Sequence, residues 1–272
     1  MRKAGFRLLL ATCYLLLPTV LSGAWTSLNT LGSNQIKTDG TNNLVITTSA
    51  VAEVNNVIVC IIAANNLNAT DGEKTDWSVT DSAANTYTRA VEFENSQGAS
   101  AAGALAGIFY SKVTTQLASS GTITFTSGAT LVAKAASCWE FSITSTNVVT
   151  VEGKSTLAND GADPGAISIS SLASQEYLWV SAVAHEGPNT DAFTQDADYT
   201  SVSANGTTAG GAATNMSVRG GFRVFTGTTD TVDVTYTAVD HAQGYVALKE
   251  AAAAVPTGGG KRIFISRNLR PR

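Results

Sequence analysis

Apolar residues along the chain fall into short runs separated by Gly, Asn, Asp and Ser, and the runs follow two patterns. Thr122-Ile123-Thr124-Phe125-Thr126 alternates strictly, which puts Ile123 and Phe125 on one side of a strand and the threonines on the other. Residues 57–64 are apolar at nearly every position, as expected of a strand buried on both faces. Residues 25–30, 43–48, 77–80, 86–93, 104–112, 121–126 and 135–144 complete a first set of predicted strands, each bounded by turn-forming residues. No segment sustains a helical period. Ala251 to Ala254 would give one turn at most before Pro256 ends it. The chain is therefore predicted to be all-β.

A second set of runs repeats the first in order. Residues 166–170 and 177–184 answer the opening and buried strands. Asp198-Tyr199-Thr200 answers Thr86-Tyr87-Thr88, and Phe222 to Phe225 answers Gly107 to Tyr110. Val232 to Thr237 answers Thr122 to Thr126, and Tyr245 to Glu250 answers Ala135 to Glu140, which sets Glu250 opposite Glu140. A repeat of about 110–120 residues suits a duplicated sandwich domain. The expected architecture is two tandem jelly-roll or immunoglobulin-like β-sandwich units from an internal duplication. Residues 25–146 form the first and 147–250 the second, and 251–272 form a Gly-rich linker and basic tail.

Composition narrows the setting. Charged residues make up 14% of the 272, against about 25% in ordinary domains. Ser, Thr, Asn and Gly must supply the polar surface, and the first three disfavour helix because they compete for backbone hydrogen bonds. Arg2, Lys3 and Arg7 precede an apolar run over 8–21, with Ser22-Gly23-Ala24 behind it. That run is shorter than the roughly 20 residues a spanning helix needs and matches a cleavable signal peptide over 1–24. The protein is thus expected to be exported, extracellular or at a cell or virion surface. A net charge of −4 and pI near 5.2 argue against nucleic-acid binding by the body.

Beyond the signal segment remain Cys60 and Cys138, both in apolar runs. An oxidising compartment permits a bridge. Their apparent counterparts in the second set, Val180 and Leu248, are apolar, so two buried thiols acting as small hydrophobes are the expectation.

The most distinctive motif is Asp81-Ser82-Ala83-Ala84-Asn85-Thr86-Tyr87. Turn chemistry explains it: Asp81 accepts backbone N–H bonds and Asn85 tolerates a left-handed backbone. With Ile108-Phe109-Tyr110-Ser111 and Gly121 to Thr126, the motif resembles a group of uncharacterised β-sandwich proteins of bacteria, their phages and metagenomes. Their pattern runs D-S-x-G-N-T-Y/W, then Y-Y/Y-S, T-x-T and a strand ending F-S-G. This chain departs from it at Ala84, where the pattern has Gly, and at Glu140-Phe141-Ser142-Ile143, which lacks the final Gly. The resemblance implies a sandwich fold in an exported or virion-surface setting and carries no activity.

Candidate chemistry is sparse. His185 and His241 are the only histidines, and no nucleophile elbow or His-Glu-x-x-His pattern accompanies them. Asp191, Asp196 and Asp198 cluster without the spacing of a calcium loop. No cofactor or metal site is expected, and no enzyme activity. Trp139 and Trp179 sit within strands and are expected in the core, whereas Trp77 borders the polar loop 65–76 and is the candidate for an exposed ligand contact. Lys261, Arg262, Arg267, Arg270 and Arg272 concentrate five of the 17 basic residues in the tail. They are candidates for attachment to an anionic surface polymer or glycan, or for self-assembly through the tail. The expected function is a non-enzymatic surface or virion-structural protein supporting adhesion or assembly. A carbohydrate-binding module and a secreted hydrolase with a spatial carboxylate pair are the alternatives.

Overall fold

The computed structural model describes residues 25–37, 42–96, 103–144, 147–159, 165–208, 214–236 and 239–252. The expected signal segment 1–24 and residues 253–272, with all five basic tail residues, lie outside the described residues. The described chain is all-β, its strands arranged in several antiparallel sheets.

The first half builds a large sheet in the order β1 (Thr26–Lys37), β9 (Ala133–Ser142), β3 (Val57–Asn65), β7 (Ala104–Lys112), β6 (Thr88–Asn95) and β4 (Gly72–Glu73). A smaller sheet, β2 (Asn43–Thr47), β8 (Thr122–Ser127) and β5 (Trp77–Asp81), covers one face of it. The second half builds a large sheet in the order β10 (Asn147–Asn159), β19 (His241–Ala252), β12 (Gln175–His185), β16 (Ser217–Gly227) and β14 (Thr200–Ser201), and β15 (Asn205–Gly206) also pairs with β16. Its outer cover is two small pairs, β11 (Ile167–Ile169) with β17 (Asp230–Val232) and β13 (Phe193–Thr194) with β18 (Thr235–Tyr236).

The two large sheets lie face to face, giving four layers and three cores. In β3, Val57, Val59, Ile61 and Ala63 point to the middle, while Ile58, Cys60, Ile62 and Ala64 point to the first outer layer. In β12, Leu178, Val180, Ala182 and Ala184 point to the middle, while Tyr177, Trp179 and Val183 point to the second outer layer. The solidly apolar runs are thus strands with a core on each side. Phe141 and Phe222 meet edge to face across the middle layer with centroids 5.0 Å apart. Gly244 permits the closest approach there, since a Cβ would stand 2.8 Å from Val91 Cγ1. The sheets cross in a reciprocal manner: β12 lies over β3 and β7, and β16 over β3 and β9. Likewise β19 and β10 lie over β6, and β15 lies over β9 and β1.

Several expectations need correction. Residues 147–159 form a long edge strand that no apolar pattern marked. Ala251 and Ala252 extend β19 and do not belong to the linker. Cys60 and Cys138 are not free thiols. They face each other in register on β3 and β9, with Cα atoms 4.1 Å apart, and form a disulfide. Closing a loop of 78 residues, the bond removes unfolded-state entropy equivalent to about 4–5 kcal/mol. Val180 and Leu248 are not its counterparts, because both face the middle core whereas the cysteines face the outer one.

Because the middle core belongs to both halves, each half alone would leave one apolar face of its large sheet exposed. The expected outcome is one cooperative unfolding transition for the whole chain by calorimetry. Residues 25–144 and 147–252 produced separately should aggregate or stay unfolded, and should form a soluble complex when co-expressed. Two resolved transitions, or a soluble folded half, would contradict the shared core.

Candidate functional site

The motif Asp81 to Tyr87 makes a closed bonding network. Asp81 Oδ1 accepts from the backbone N–H groups of Ala83 at 2.9 Å and Asn85 at 3.0 Å. Its Oδ2 accepts from Asn85 Nδ2 at 3.0 Å and the Tyr87 hydroxyl at 3.2 Å. Asn85 then crosses to the 113–117 segment: its Oδ1 accepts from the N–H groups of Thr114 and Thr115 at 2.8 and 2.9 Å, and its Nδ2 donates to Thr115 O. Burial first, and the Asp81 charge second, push the Tyr87 phenol well above its ordinary pKa. The left-handed residue is Ala84, at φ 61°, which is where the resembling pattern carries Gly. Asp81, Asn85 and the Tyr87 hydroxyl are engaged in this network, which ties the 81–87 turn to the 113–117 segment.

Trp77 is buried, at 3% exposure, and packs in the first outer core rather than facing solvent. The reason is a pair of buried carboxylates on β6. Glu92 accepts from the N–H groups of Asp76 at 2.7 Å and Trp77 at 3.3 Å, and from Arg89 at 3.2 Å. Glu94 accepts from the N–H groups of Leu67 at 2.6 Å and Asn68 at 3.3 Å. Burial raises both pKa values against these bonds, which pull the other way. Asp71 accepts from Ser96 N and Oγ, both at 2.8 Å, and the backbone bond chiefly lowers its pKa. The loop 65–76 is pinned by this set and draws Trp77 inward.

Trp139 and Trp179 are buried as expected. Glu140 is fully buried and accepts from Asn29 Nδ2, Glu53 N and Asn56 Nδ2 at 3.0, 2.7 and 2.6 Å. Glu250 accepts from Thr144 N at 2.6 Å and Asn147 Nδ2 at 2.5 Å. Glu140 shares the outward side of β9 with Cys138, whereas Glu250 shares the side of Leu248, so the two glutamates are not on corresponding faces.

The second half holds two polar centres. In one, Tyr199 and Tyr245 both donate to Asp230 Oδ2, at 2.6 and 3.2 Å, and Arg223 binds Asp230 Oδ1 at 2.9 Å. Burial chiefly drives both phenols far above their ordinary pKa. In the other, His185 stacks on Tyr236 at 4.3 Å, with Nδ1 3.2 Å from Ser217 Oγ and Nε2 3.8 Å from Asp191 Oδ2. By residue type this is a Ser–His–acid set, but Ser217 is fully buried and its hydroxyl donates to Gly187 O at 3.2 Å. The set orients the 185–191 turn and presents no nucleophile to an incoming carbonyl. Asp191, Asp196 and Asp198 take separate partners: Asp196 accepts from Asp198 N and Asp233 N, and Asp198 pairs with Arg223 at 3.3 Å.

What faces outward is different in kind. The outer side of the β2-β8-β5 sheet carries Asn43, Val45, Thr47, Thr122, Thr124, Thr126, Ser78 and Thr80, in rows set by register. Thr126 lies between Asn43 and Ser78, and Thr124 between Val45 and Thr80. No charged side chain stands on those rows. Sequence alternation in Thr122 to Thr126 was the signal for this face. Comparison with protein-family models, curated proteins and solved structures finds no match to the chain.

Two predictions test these centres. Asn85→Ala leaves the Thr114 and Thr115 N–H groups and Asp81 short of partners and should destabilise by about 2–4 kcal/mol. Ala84→Gly should stabilise by about 0.5–1 kcal/mol, because relief of left-handed strain exceeds the entropy glycine adds to the unfolded chain. Chemical denaturation of both variants measures this, and an Asn85→Ala cost below 1 kcal/mol would remove the motif's structural role.

The second concerns Glu186, whose carboxyl is pushed up to about 7 by burial first and then by the adjoining Asp240. The folded protein holds this proton more tightly than the unfolded chain does. The stabilisation is fully present below pH 4.5, the ordinary value, and is lost as pH rises through about 7. Allowing for solvent screening at a half-buried group, the loss is about 1–2 kcal/mol. Glu186→Gln should flatten stability between pH 5 and 8. An unchanged pH profile in the variant would refute the assignment.

Proposed function

We propose that the chain is a non-enzymatic, exported surface or virion-structural protein whose duplicated sandwich forms a rigid block for adhesion or assembly. The observation that carries this reading is the division of polar groups. The acids Asp81, Glu92, Glu94 and Glu140 and the amides of Asn56 and Asn85 are engaged in fastening loops, and the outer side of the β2-β8-β5 sheet is an uncharged hydroxyl array. Duplication of one jelly-roll unit is supported by the shared strand order, β1-β9-β3-β7-β6 beside β10-β19-β12-β16-β14, and by the reciprocal crossing of the two sheets. Reciprocal contact is the mark of a two-fold interface, so the ancestor of such a chain would be a homodimer.

A neutral array of hydroxyls, methyls and an amide favours uncharged, hydroxyl-rich partners, so a glycan is the partner class for this face. The carbohydrate-binding alternative rests on the same array, although the tryptophans that would stack on sugar rings are buried. Lys261, Arg262, Arg267, Arg270 and Arg272 provide a separate, salt-sensitive route to anionic surface polymers.

The test compares the full chain with Thr80→Lys/Thr124→Lys and with a chain ending at Val255, on a glycan array and on envelope polymers at low and high salt. The face variant should lose at least tenfold in glycan retention, and the shortened chain should lose salt-sensitive retention on anionic polymers. If both bind as the parent does, the adhesion reading is wrong.

A further inference from the structure

The edges of the two large sheets meet along two seams, and the seams differ. At one, β15 lies over β1 and β9: Asn205 Nδ2 donates to Asn34 O at 2.5 Å and to Ala136 O at 3.1 Å. Lys37 Nζ adds bonds to Thr214 Oγ1 and Asn215 Oδ1, both 2.8 Å. A short extended segment therefore fills that seam. At the other, β6 faces β10, and among the described residues no strand lies between them.

Two open grooves follow one another there. One, of about 450 Å³, is lined by Arg89, Ala90, Val151, Glu152, Gly153 and Lys154. The next, of about 260 Å³, is lined by Thr86, Thr88, Tyr110, Lys112, Val148 and Val149. Among the described residues β10 pairs with no strand but β19 along this stretch. On its other edge the Asn147 carbonyl accepts from Lys112 Nζ and the Val149 carbonyl from the Tyr110 hydroxyl at 3.5 Å, so an added strand takes the backbone groups beyond Asn147 and replaces the long Tyr110 bond. Val148 is 44% exposed beside it. Of the charges at the groove, Lys154 pairs with Glu73, Arg89 with Glu92 and Glu152 with Lys249, while Lys112 Nζ donates to the Asn147 carbonyl.

We propose that the chain's own segment Lys261-Arg262-Ile263-Phe264-Ile265 docks in this seam as a strand added along β10. The chain leaves the described structure at the mouth of the groove: Ala252, the end of β19, pairs with Asn147, next to Val148. The connecting residues 253–260 contain Pro256 and three glycines, and eight residues reach at most ~27 Å. The grooved stretch from Asn147 to Gly153 is about 20 Å long at strand rise, so the segment reaches any part of it. A tether this short gives an effective concentration in the millimolar range, above that of a second copy in dilute solution. Edge pairing supplies the main-chain bonds, and Ile263, Phe264 and Ile265 supply apolar contact for Val148, Val149, Ala90 and Tyr110. Docking also holds Arg267, Arg270 and Arg272 against the body. The inference does not rest on the function proposed above.

Hydrogen exchange across 147–154 in the full chain, in full-length Phe264→Asp and in the chain ending at Val255 tests the docking. The full chain should protect this stretch at least tenfold more than either variant, independently of protein concentration and with a monomer in sedimentation. Equal exchange in all three proteins overturns the proposal. Protection that grows with concentration and accompanies a dimer also overturns it, because the occupant would then be a second copy.

Discussion

The inner faces of the two large sheets are apolar over most of their width, and neither face is compatible with water by itself. Val57, Val59 and Ile61 on one side and Leu178, Val180 and Ala182 on the other form a single layer between them. Each fully buried aliphatic of this kind contributes roughly 1.5–3 kcal/mol relative to exposure. Burying that layer leaves β3 and β12 enclosed on both faces, which is why 57–64 and 177–184 are apolar at every position but Ser181. The outer layers then have only the remaining faces to cover. Small sheets suffice: three strands on the first half and two separate pairs on the second.

Short outer layers have a cost of their own. Loops must pass over the ends of the large sheets, and their backbone N–H groups enter places that water does not reach. An unpaired buried donor costs about 1–3 kcal/mol, and in the first half carboxylates meet that demand. Glu92, Glu94 and Glu140 each accept at least one backbone N–H together with a side-chain donor, and Asp81 does the same inside its turn. Burial raises the pKa of Glu92 and Glu94, while the bonds they accept favour the ionised form. Acids that look from sequence like candidates for chemistry are therefore fastened to the backbone.

The all-β class, the twice-buried strands and the hydroxyl face were legible because each leaves a period in the sequence. Edge strand β10 was not, because an edge is half wet: its exposed Val148, Thr150, Glu152 and Lys154 dilute the apolar signal, and a bulge between Val151 and Gly153 breaks the alternation. Trp77 was misplaced because its neighbours in sequence are polar, while the groups that fold the loop over it, Glu92 and Glu94, lie far along the chain. The cysteines were misread through a one-residue slip in matching the two halves. With a period of two, such a slip exchanges inner for outer faces, so Cys60 was compared with Val180 of the middle core when its own face belongs to the outer one.

The two outer faces differ, and the difference bears on where a partner would bind. On the first half the β2-β8-β5 rows are continuous and uncharged. On the second, the cover is split into β11-β17 and β13-β18, exposed Asp233 lies in it, and the ion pairs of Arg223 with Asp198 and Asp230 lie close by. The space beneath it is occupied by the Tyr199–Asp230–Tyr245 network and the stacked Trp179, which fix the two small pairs to β12 and β19. A large neutral partner needs contiguous area without desolvated charge. On the adhesion reading the first half therefore carries the contact face, and the second half is committed to holding the block rigid behind it.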